Sequence, residues 1–415
     1  CTPSRASFLT GMYPGSVRAC MNGNDYWAGA APLLPRLLAD AGYDCGLSGK
    51  LHLAGAQGRI EPRGDDGYRV FHWSHDSIDR WEEGHEYADW LKRQGHDLGA
   101  FNDAPETMPP ELHQTSWCAD RAIDFIREER GGPWLFSVNP FDPHPPFDPP
   151  GEYLRRYDPD GLPEPLWRDS DVDAHRRFAG VDGFAEPPLP PAELGGRRIK
   201  AAYYAMIELI DHNVGRLLDA LEEAGKRDDT IVIFTSDHGE LLGDHGFHTN
   251  KGCAFFEASV RVPLILSWPG RFHGGRVSDA LVELIDLAPT LLEHAGVERP
   301  PRMQGTSLNG LLEGTADEHR DRVHCEYFRD QTLSPHLRPT FEGSYATMIR
   351  DRRYKLIVHH NRNTGRLYDL QEDPGEFDNR WDDPRLAGVK AELMLASFNR
   401  LALSVDVGPR PTTGF

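Results

Sequence analysis

No stretch of this chain approaches the roughly 20 consecutive apolar residues that a membrane-spanning helix requires, and none pairs a charged start with a short apolar core as a secretory leader does. Basic residues are in the minority, with 45 Lys and Arg against 65 Asp and Glu, a formal net charge of -20. A field of that sign repels nucleic acid and anionic lipid, so neither is expected as a partner, and an anionic substrate has to be met by a local basic pocket. Cysteine is scarce: Cys1, Cys20, Cys45, Cys118, Cys253 and Cys325 are scattered without C-x-x-C spacing. That scatter argues against a zinc site and against a dense disulfide framework, and most of these residues read as small buried hydrophobes. There is no internal repeat and no low-complexity tract. An initial methionine is lacking too; a chain that opens on Cys1 reads as a fragment or a processed product, which leaves its compartment open.

What is present suits a globular enzyme. At 415 residues and 39% hydrophobic content, a large α/β domain with a smaller one beside it is the expected organisation. Leu33, Leu34, Leu37 and Leu38 mark an amphipathic helix that stops at Gly42, and Cys118, Ala122, Phe125 and Ile126 mark another before a strand from Trp134 to Val138. A long helix carries Tyr203, Met206, Ile207, Ile210, Val214, Leu217 and Leu221 on one face, then come strands Ile231 to Phe234 and Val262 to Trp268, and a helix with Leu284, Leu287, Leu291 and Leu292. Strands alternating with helices imply a mostly parallel sheet covered on both faces. The Pro- and Gly-rich segment from Phe141 to about Gly196 shows little periodicity and reads as a long surface excursion. After Pro300 and Pro301 the pattern changes. Strand candidates at Val323 to Phe328, Tyr345 to Ile349, Tyr354 to Val358 and Arg366 to Leu370, followed by a helix from about Pro384, predict a small antiparallel sheet carrying that helix.

Catalytic groups in an open α/β sheet gather at the carboxyl ends of strands, and five clusters occupy the chain's loops. Cys1, with Arg5 four residues on, is a candidate thiolate nucleophile or an ordinary loop cysteine. Ser48-Gly49-Lys50-Leu51-His52 follows the strand-like Cys45 to Leu47; on an extended segment Lys50 and His52 point to one side and suit joint engagement of an anion, the alternative being a surface lysine and a capping histidine. In Asn139-Pro140-Phe141-Asp142-Pro143-His144-Pro145-Pro146-Phe147 the prolines restrict the direction of His144. Asp237 and His238, after the strand ending at Phe234, offer O and N ligands to a divalent cation, or Asp237 caps a helix. Lys251 stands in the glycine-flanked run Gly243-Asp244-His245-Gly246-Phe247-His248-Thr249-Asn250-Lys251-Gly252, where it can approach an anion closely. His245 and His248 read as packing or rim residues.

The first cluster, Cys1-Thr2-Pro3-Ser4-Arg5-Ala6-Ser7-Phe8-Leu9-Thr10-Gly11, resembles the C-x-P-x-R-x-x-x-x-T-G signature of type I sulfatases with every fixed position filled. Gly49-Lys50-Leu51-His52 is similar to the family's G-K-x-H element, with Leu51 where a Trp is usual, and His144 falls in a match to P-H-x-P-F. Val262-Pro263-Leu264, Asp286 to Thr290, Gln304 to Leu308 and Leu367 to Pro374 also recur in family members in this order, so the resemblance spans the chain. It implies an alkaline phosphatase-like fold, a catalytic domain over about 1–300 and a small α+β subdomain over 315–415. It further implies a sulfuric ester hydrolase, arylsulfatase-like, acting on a sulfate monoester of a small molecule or saccharide, sulfated sugars among them. A maturation enzyme would oxidise Cys1 to formylglycine, whose hydrate attacks sulfur with one hydroxyl and collapses through the other, where a serine would leave a stable ester. By the same resemblance Arg5 holds the hydrate, Lys50 contacts sulfate and hydrate, His52 acts as base, His144 and Lys251 contact the sulfate or leaving oxygen, and Cys1, Asp237 and His238 bind one divalent ion, usually Ca2+.

Many family members carry Asn where His238 stands, and the Asp-His form also occurs in related phosphonate monoester hydrolases, so phosphonate or phosphate ester hydrolysis is a second reading. The family also has an upstream strand ending in paired aspartates that completes the metal site; nothing precedes Cys1 here, and we read that as truncation. An inactive or binding-only fragment is the third reading.

Overall fold

The computed structural model describes residues 1–19, 21–23, 31–56, 60–76, 84–179, 181, 187–247, 251, 254–329, 344–360 and 362–404. Its centre is a parallel sheet of β1 (Asp44–Gly49), β2 (Val70–Trp73) and β3 (Trp134–Asn139) in the order β2-β1-β3. Leu47 pairs with Phe71 on one side and Ser137 on the other. Both faces of β1 are covered, with Cys45 and Leu47 on one and Gly46 and Ser48 on the other. On one face lie the helices Thr2–Thr10, Leu34–Asp40 and Leu287–His294, whose Ala6, Leu9, Leu34, Leu38, Ala288 and Leu292 form a core with Cys45 and Leu47. On the other, helix Gln114–Arg127 buries Trp117 and Cys118, and the Ser48 hydroxyl donates to the Cys118 carbonyl at 2.8 Å.

The long helix, Gly196–Glu223, packs beside Gln114–Arg127. Together they cover β3 through Trp134 and β4 (Val232–Thr235) through Val232, so one pair of helices roofs two sheets. β4 pairs with β5 (Leu264–Ser267), with Ile233 opposite Leu266. This pair is antiparallel where a mostly parallel sheet was expected, and the connection explains the difference. Parallel neighbours need a crossover element over the sheet face; among the described residues, 236–263 instead carry site loops, a 3-10 turn at Asp244–Gly246 and the four-residue helix Glu257–Val260. Among the described residues no strand partners the outer edge of β3 or of β4. The expected 141–196 excursion is likewise more ordered than its composition suggests, containing helix Ser170–Phe178.

The C-terminal unit has the predicted form. Strands β6 (Val323–Arg329), β7 (Ser344–Arg350), β8 (Tyr354–His360) and β9 (Thr364–Asp369) make an antiparallel sheet in sequential order. Helix Ala387–Ser404 covers one face through Leu393, which meets Ile349, Leu356 and Leu367. The opposite face, with Ala346, Met348, Ile357 and Tyr368, receives Phe255 from the larger unit.

Gly49 ends β1 with φ +97, and a Cβ there would stand 2.0 Å from the Asn139 carbonyl oxygen. Gly49→Ala is therefore expected to cost about 2 kcal/mol or more of folding free energy, from left-handed backbone strain and a backbone collision together. Urea denaturation checks this; an unchanged midpoint would show that β1 and β3 can separate at no cost.

Candidate active site

Three chain segments meet at one point. The first is helix Thr2–Thr10, started by Pro3 in its first turn and stopped by Gly11 in the left-handed conformation, with Cys1 at the N-cap. A helix N-terminus favours negative charge that develops there. The second is the loop after β1, which presents Lys50. Its ammonium lies 3.6 Å from Cys1 Sγ. The third is the turn after β4, where His238 Nε2 lies 3.0 Å from the same sulfur.

Arg5 fastens the three. Its Nε is 2.7 Å from Asp237 Oδ2 and its Nη1 donates to the Lys50 carbonyl at 2.5 Å. The Ser4 hydroxyl adds a short hydrogen bond to the Asp237 carbonyl. Burial alone would push the Asp237 carboxyl up, but Arg5, His238 and Lys50 hold it well below the usual carboxylate range. Thus the buried Asp237 carboxylate holds Arg5 and, through it, the Lys50 loop.

The cations are themselves perturbed by being buried together. Lys50 is 3% exposed, and burial, then Arg5, pulls its ammonium down to about 7. Lys251 is lowered by burial and stands 3.7 Å from Glu240. His144 is pulled down to about 3, first by burial and then by Lys251 and Lys50. Its Nδ1 meets the Pro145 carbonyl at 2.7 Å and so carries the proton of the neutral ring. Nε2 then donates to an oxyanion only after protonation, which a bound anion favours. The His144 and His238 rings are 6.5 Å apart. Burial likewise lowers His238 to about 3, and its Nδ1, against the Gly239 carbonyl at 2.9 Å, leaves Nε2 turned toward Cys1.

Lys50 and His52 do not share the extended segment expected for them. β1 ends at Gly49, and His52 has φ 55. The Glu61 carboxylate accepts from the His52 and Leu53 N–H groups at 2.6 and 3.0 Å and fixes the loop, and burial, then the nearby Lys50 charge, lowers the His52 imidazole. The His52 ring lies 4.6 Å from that of His75, a residue missing from the sequence reading. Burial, Lys50 and Arg5 lower His75 to about 2. It follows β2, so the rule that searched strand ends applied to it too, had β2 been recognised. Tyr203, on the long helix, also faces the cluster, with burial and the Glu240 and Asp237 charges raising it to about 12. His245 packs as expected, stacked 4.0 Å from Phe256 and 3.0 Å from Asp171, and His248 lies outside the described residues.

Cys1 Sγ, Asp237 and His238 bring three ligand atoms within 4.8 Å of one another. In a cysteine oxidised to an aldehyde hydrate, oxygen stands where Sγ is. A carboxylate, an imidazole and that oxygen fit one divalent ion. His113, Asp142 and Asp148 also cluster within 4.8 Å, but there Thr115 donates its N–H to His113 Nδ1 at 3.3 Å and its hydroxyl to Asp142 at 2.9 Å.

Residues 1–297 match the family model described as Sulfatase, and residues 243–401 match the one described as N-sulphoglucosamine sulphohydrolase, C-terminal. The multifunctional alkaline phosphatase superfamily protein of Trinickia caryophylli is 30% identical, over 94% of this chain and 82% of its own. The arylsulfatase of Clostridium perfringens strain 13 is 31% identical, over 91% and 80%. Among solved structures, the phosphonate monoester hydrolase of Silicibacter pomeroyi superposes with a TM-score of 0.83 at 26% identity, covering 98% of this chain and 87% of the other.

Removing Arg5 strands the buried Asp237 carboxylate. Arg5→Ala is expected to destabilise the fold by about 3 to 5 kcal/mol, as breaking one side of a buried ion pair does. Calorimetry or urea titration measures it, and a loss near zero would mean the pair organises nothing.

Proposed function

This chain belongs to the sulfatase family, and from that premise we propose that it, a sulfuric ester hydrolase of alkaline phosphatase-like fold, uses Cys1 as the precursor of its nucleophile. The observation that supports this most is the convergence of Lys50 and His238 on Cys1 Sγ, at 3.6 and 3.0 Å. Oxidised to an aldehyde by a maturation enzyme and hydrated, Cys1 supplies one hydroxyl to attack sulfur and a second whose deprotonation frees the sulfate. Lys50 and Lys251 meet the negative oxygens of the bound ester, and their burial makes each contact stronger than it would be in water. His144 donates to the sulfate once protonated, and His52 takes the proton of the second hydroxyl. Arg5 holds Asp237, and through it the hydrate's surroundings, in place.

Asp237 and His238 would hold a divalent ion together with the Cys1-derived oxygen. We infer Ca2+, a hard cation that takes roughly six to eight oxygens, some from water and substrate. Its charge would offset the sulfate's. We further propose a catalytic domain over 1–300, a C-terminal subdomain over 315–415, and a sulfated sugar as substrate; the last is supported by the match of residues 243–401 to a sulphoglucosamine sulphohydrolase C-terminal model.

Phosphonate ester hydrolysis is the second reading, favoured by the superposition on a phosphonate monoester hydrolase. A panel of aryl and sugar sulfates beside aryl phosphonates separates the two, with kcat/KM expected to favour sulfates; a preference for phosphonates would reverse the assignment. Lys50→Ala is expected to lower kcat/KM by about 100-fold or more, the loss typical of removing one charge-stabilising donor. Its melting temperature should fall little, since relieving a buried ammonium offsets the lost packing. Equal proportional loss of stability and activity would remove Lys50 from the site.

A further inference from the structure

The C-terminal sheet reaches the active site through one buried ion cluster. Lys355, on β8, is 0% exposed. Its ammonium lies 2.6 Å from Glu376, 2.9 Å from Glu257 and 2.6 Å from the Phe255 carbonyl, to which it donates. Glu376 in turn accepts from the Glu257 N–H at 2.5 Å, and Arg350 on β7 reaches Glu257 at 2.7 Å. Two of the three residues that meet at Lys355 have left-handed backbones without being glycine, Phe255 at φ 47 and Glu376 at φ 56. Such conformations cost on the order of 1 to 3 kcal/mol each and persist where surrounding contacts over-determine them.

The clamped segment leads to the chemistry in both chain directions. Phe255 stands four residues after Lys251. In the other direction Glu257 opens the helix Glu257–Val260, and the Ser259 carbonyl accepts from the Gly239 N–H at 2.8 Å. Gly239 directly follows Asp237 and His238, and a Cβ there would lie 2.0 Å from the Ala258 carbonyl oxygen. There is no slack between the clamped segment and the Asp237-His238 turn.

We propose that Glu376 and Lys355 are positioning residues: by fixing 255–259 they set Lys251 and the Asp237-His238 turn against the substrate anion. The C-terminal subdomain is then part of the anion-binding machinery without touching substrate. The proposal rests on the sulfatase reading of the site.

Inorganic sulfate, as a competitive inhibitor of aryl sulfate hydrolysis, probes the clamp. Glu376→Ala is compared with Glu376→Gln, which keeps an acceptor for the Glu257 N–H, and with Leu393→Ala, a core truncation on the sheet's far face. Glu376→Ala is expected to raise the sulfate inhibition constant and KM by about tenfold, the loss of one charge-assisted contact. Glu376→Gln should recover most of it, and Leu393→Ala should lower the melting temperature with the inhibition constant unmoved. Should Glu376→Ala fail to fold, Glu376→Gln decides alone, a two- to threefold rise supporting the clamp. Glu376 variants that lose stability as Leu393→Ala does, at wild-type inhibition constants, would make the cluster purely structural and overturn the proposal. Wild-type protein that sulfate does not inhibit would overturn the site reading and the clamp with it.

Discussion

The buried pair of Arg5 and Asp237 is what the rest of the site depends on. It joins the first helix to the turn after β4, and the same guanidinium holds the carbonyl of Lys50, so three distant parts of the chain share one fastening. A buried pair of this kind gives little net stability against an apolar substitute, since desolvating both charges offsets their attraction. What it contributes is placement. Cys1 stands one helical turn before Arg5, and His238 is the neighbour of Asp237, so fixing the pair fixes the distance between the sulfur and the imidazole.

Around that fastening the chain sets a concentration of positive charge within a molecule of net charge -20. Burial lowers the proton affinity of Lys50 and of Lys251, and at Lys50 the neighbouring Arg5 and Lys251 charges lower it further. Without a guest the arrangement is unfavourable. A tetrahedral anion, or the charge that builds up as its ester bond breaks, relieves it, and an environment preorganised in this sense stabilises a transition state that gathers further negative charge more than the singly charged ester. Nothing in the acidic surface assists; the attraction is local.

Much of this was legible in the residues. The amphipathic helices around Leu34 to Leu38 and Met206 to Leu221 follow from periodicity because each has one buried and one wet face, and the four C-terminal strands follow from consecutive strand-like runs joined by short turns. The helix Thr2–Thr10 does not, because Thr2, Pro3, Arg5, Ala6, Ser7, Leu9 and Thr10 are all buried and leave no face to detect. β2 was missed because His72 interrupts its four residues where β4 and β5, equally short, open with continuous apolar runs, and His75 was missed with it. The motif residues Cys1, Lys50 and His238 do converge, but the reason given for Lys50 and His52 was wrong in its geometry: a left-handed turn, not an extended strand, brings them together. The clamp at Lys355 was beyond the sequence altogether, since Phe255, Glu257 and Glu376 are charged or aromatic residues whose meeting depends on tertiary packing.

The central claim is that the sulfur at position 1 is the precursor of an oxygen nucleophile. Its most direct test is the mass of the Cys1 peptide from freshly prepared enzyme made with a formylglycine-generating partner, read beside turnover across preparations of varying conversion. Turnover in proportion to the aldehyde fraction is the result expected. Full turnover by protein whose Cys1 remains a thiol would contradict it.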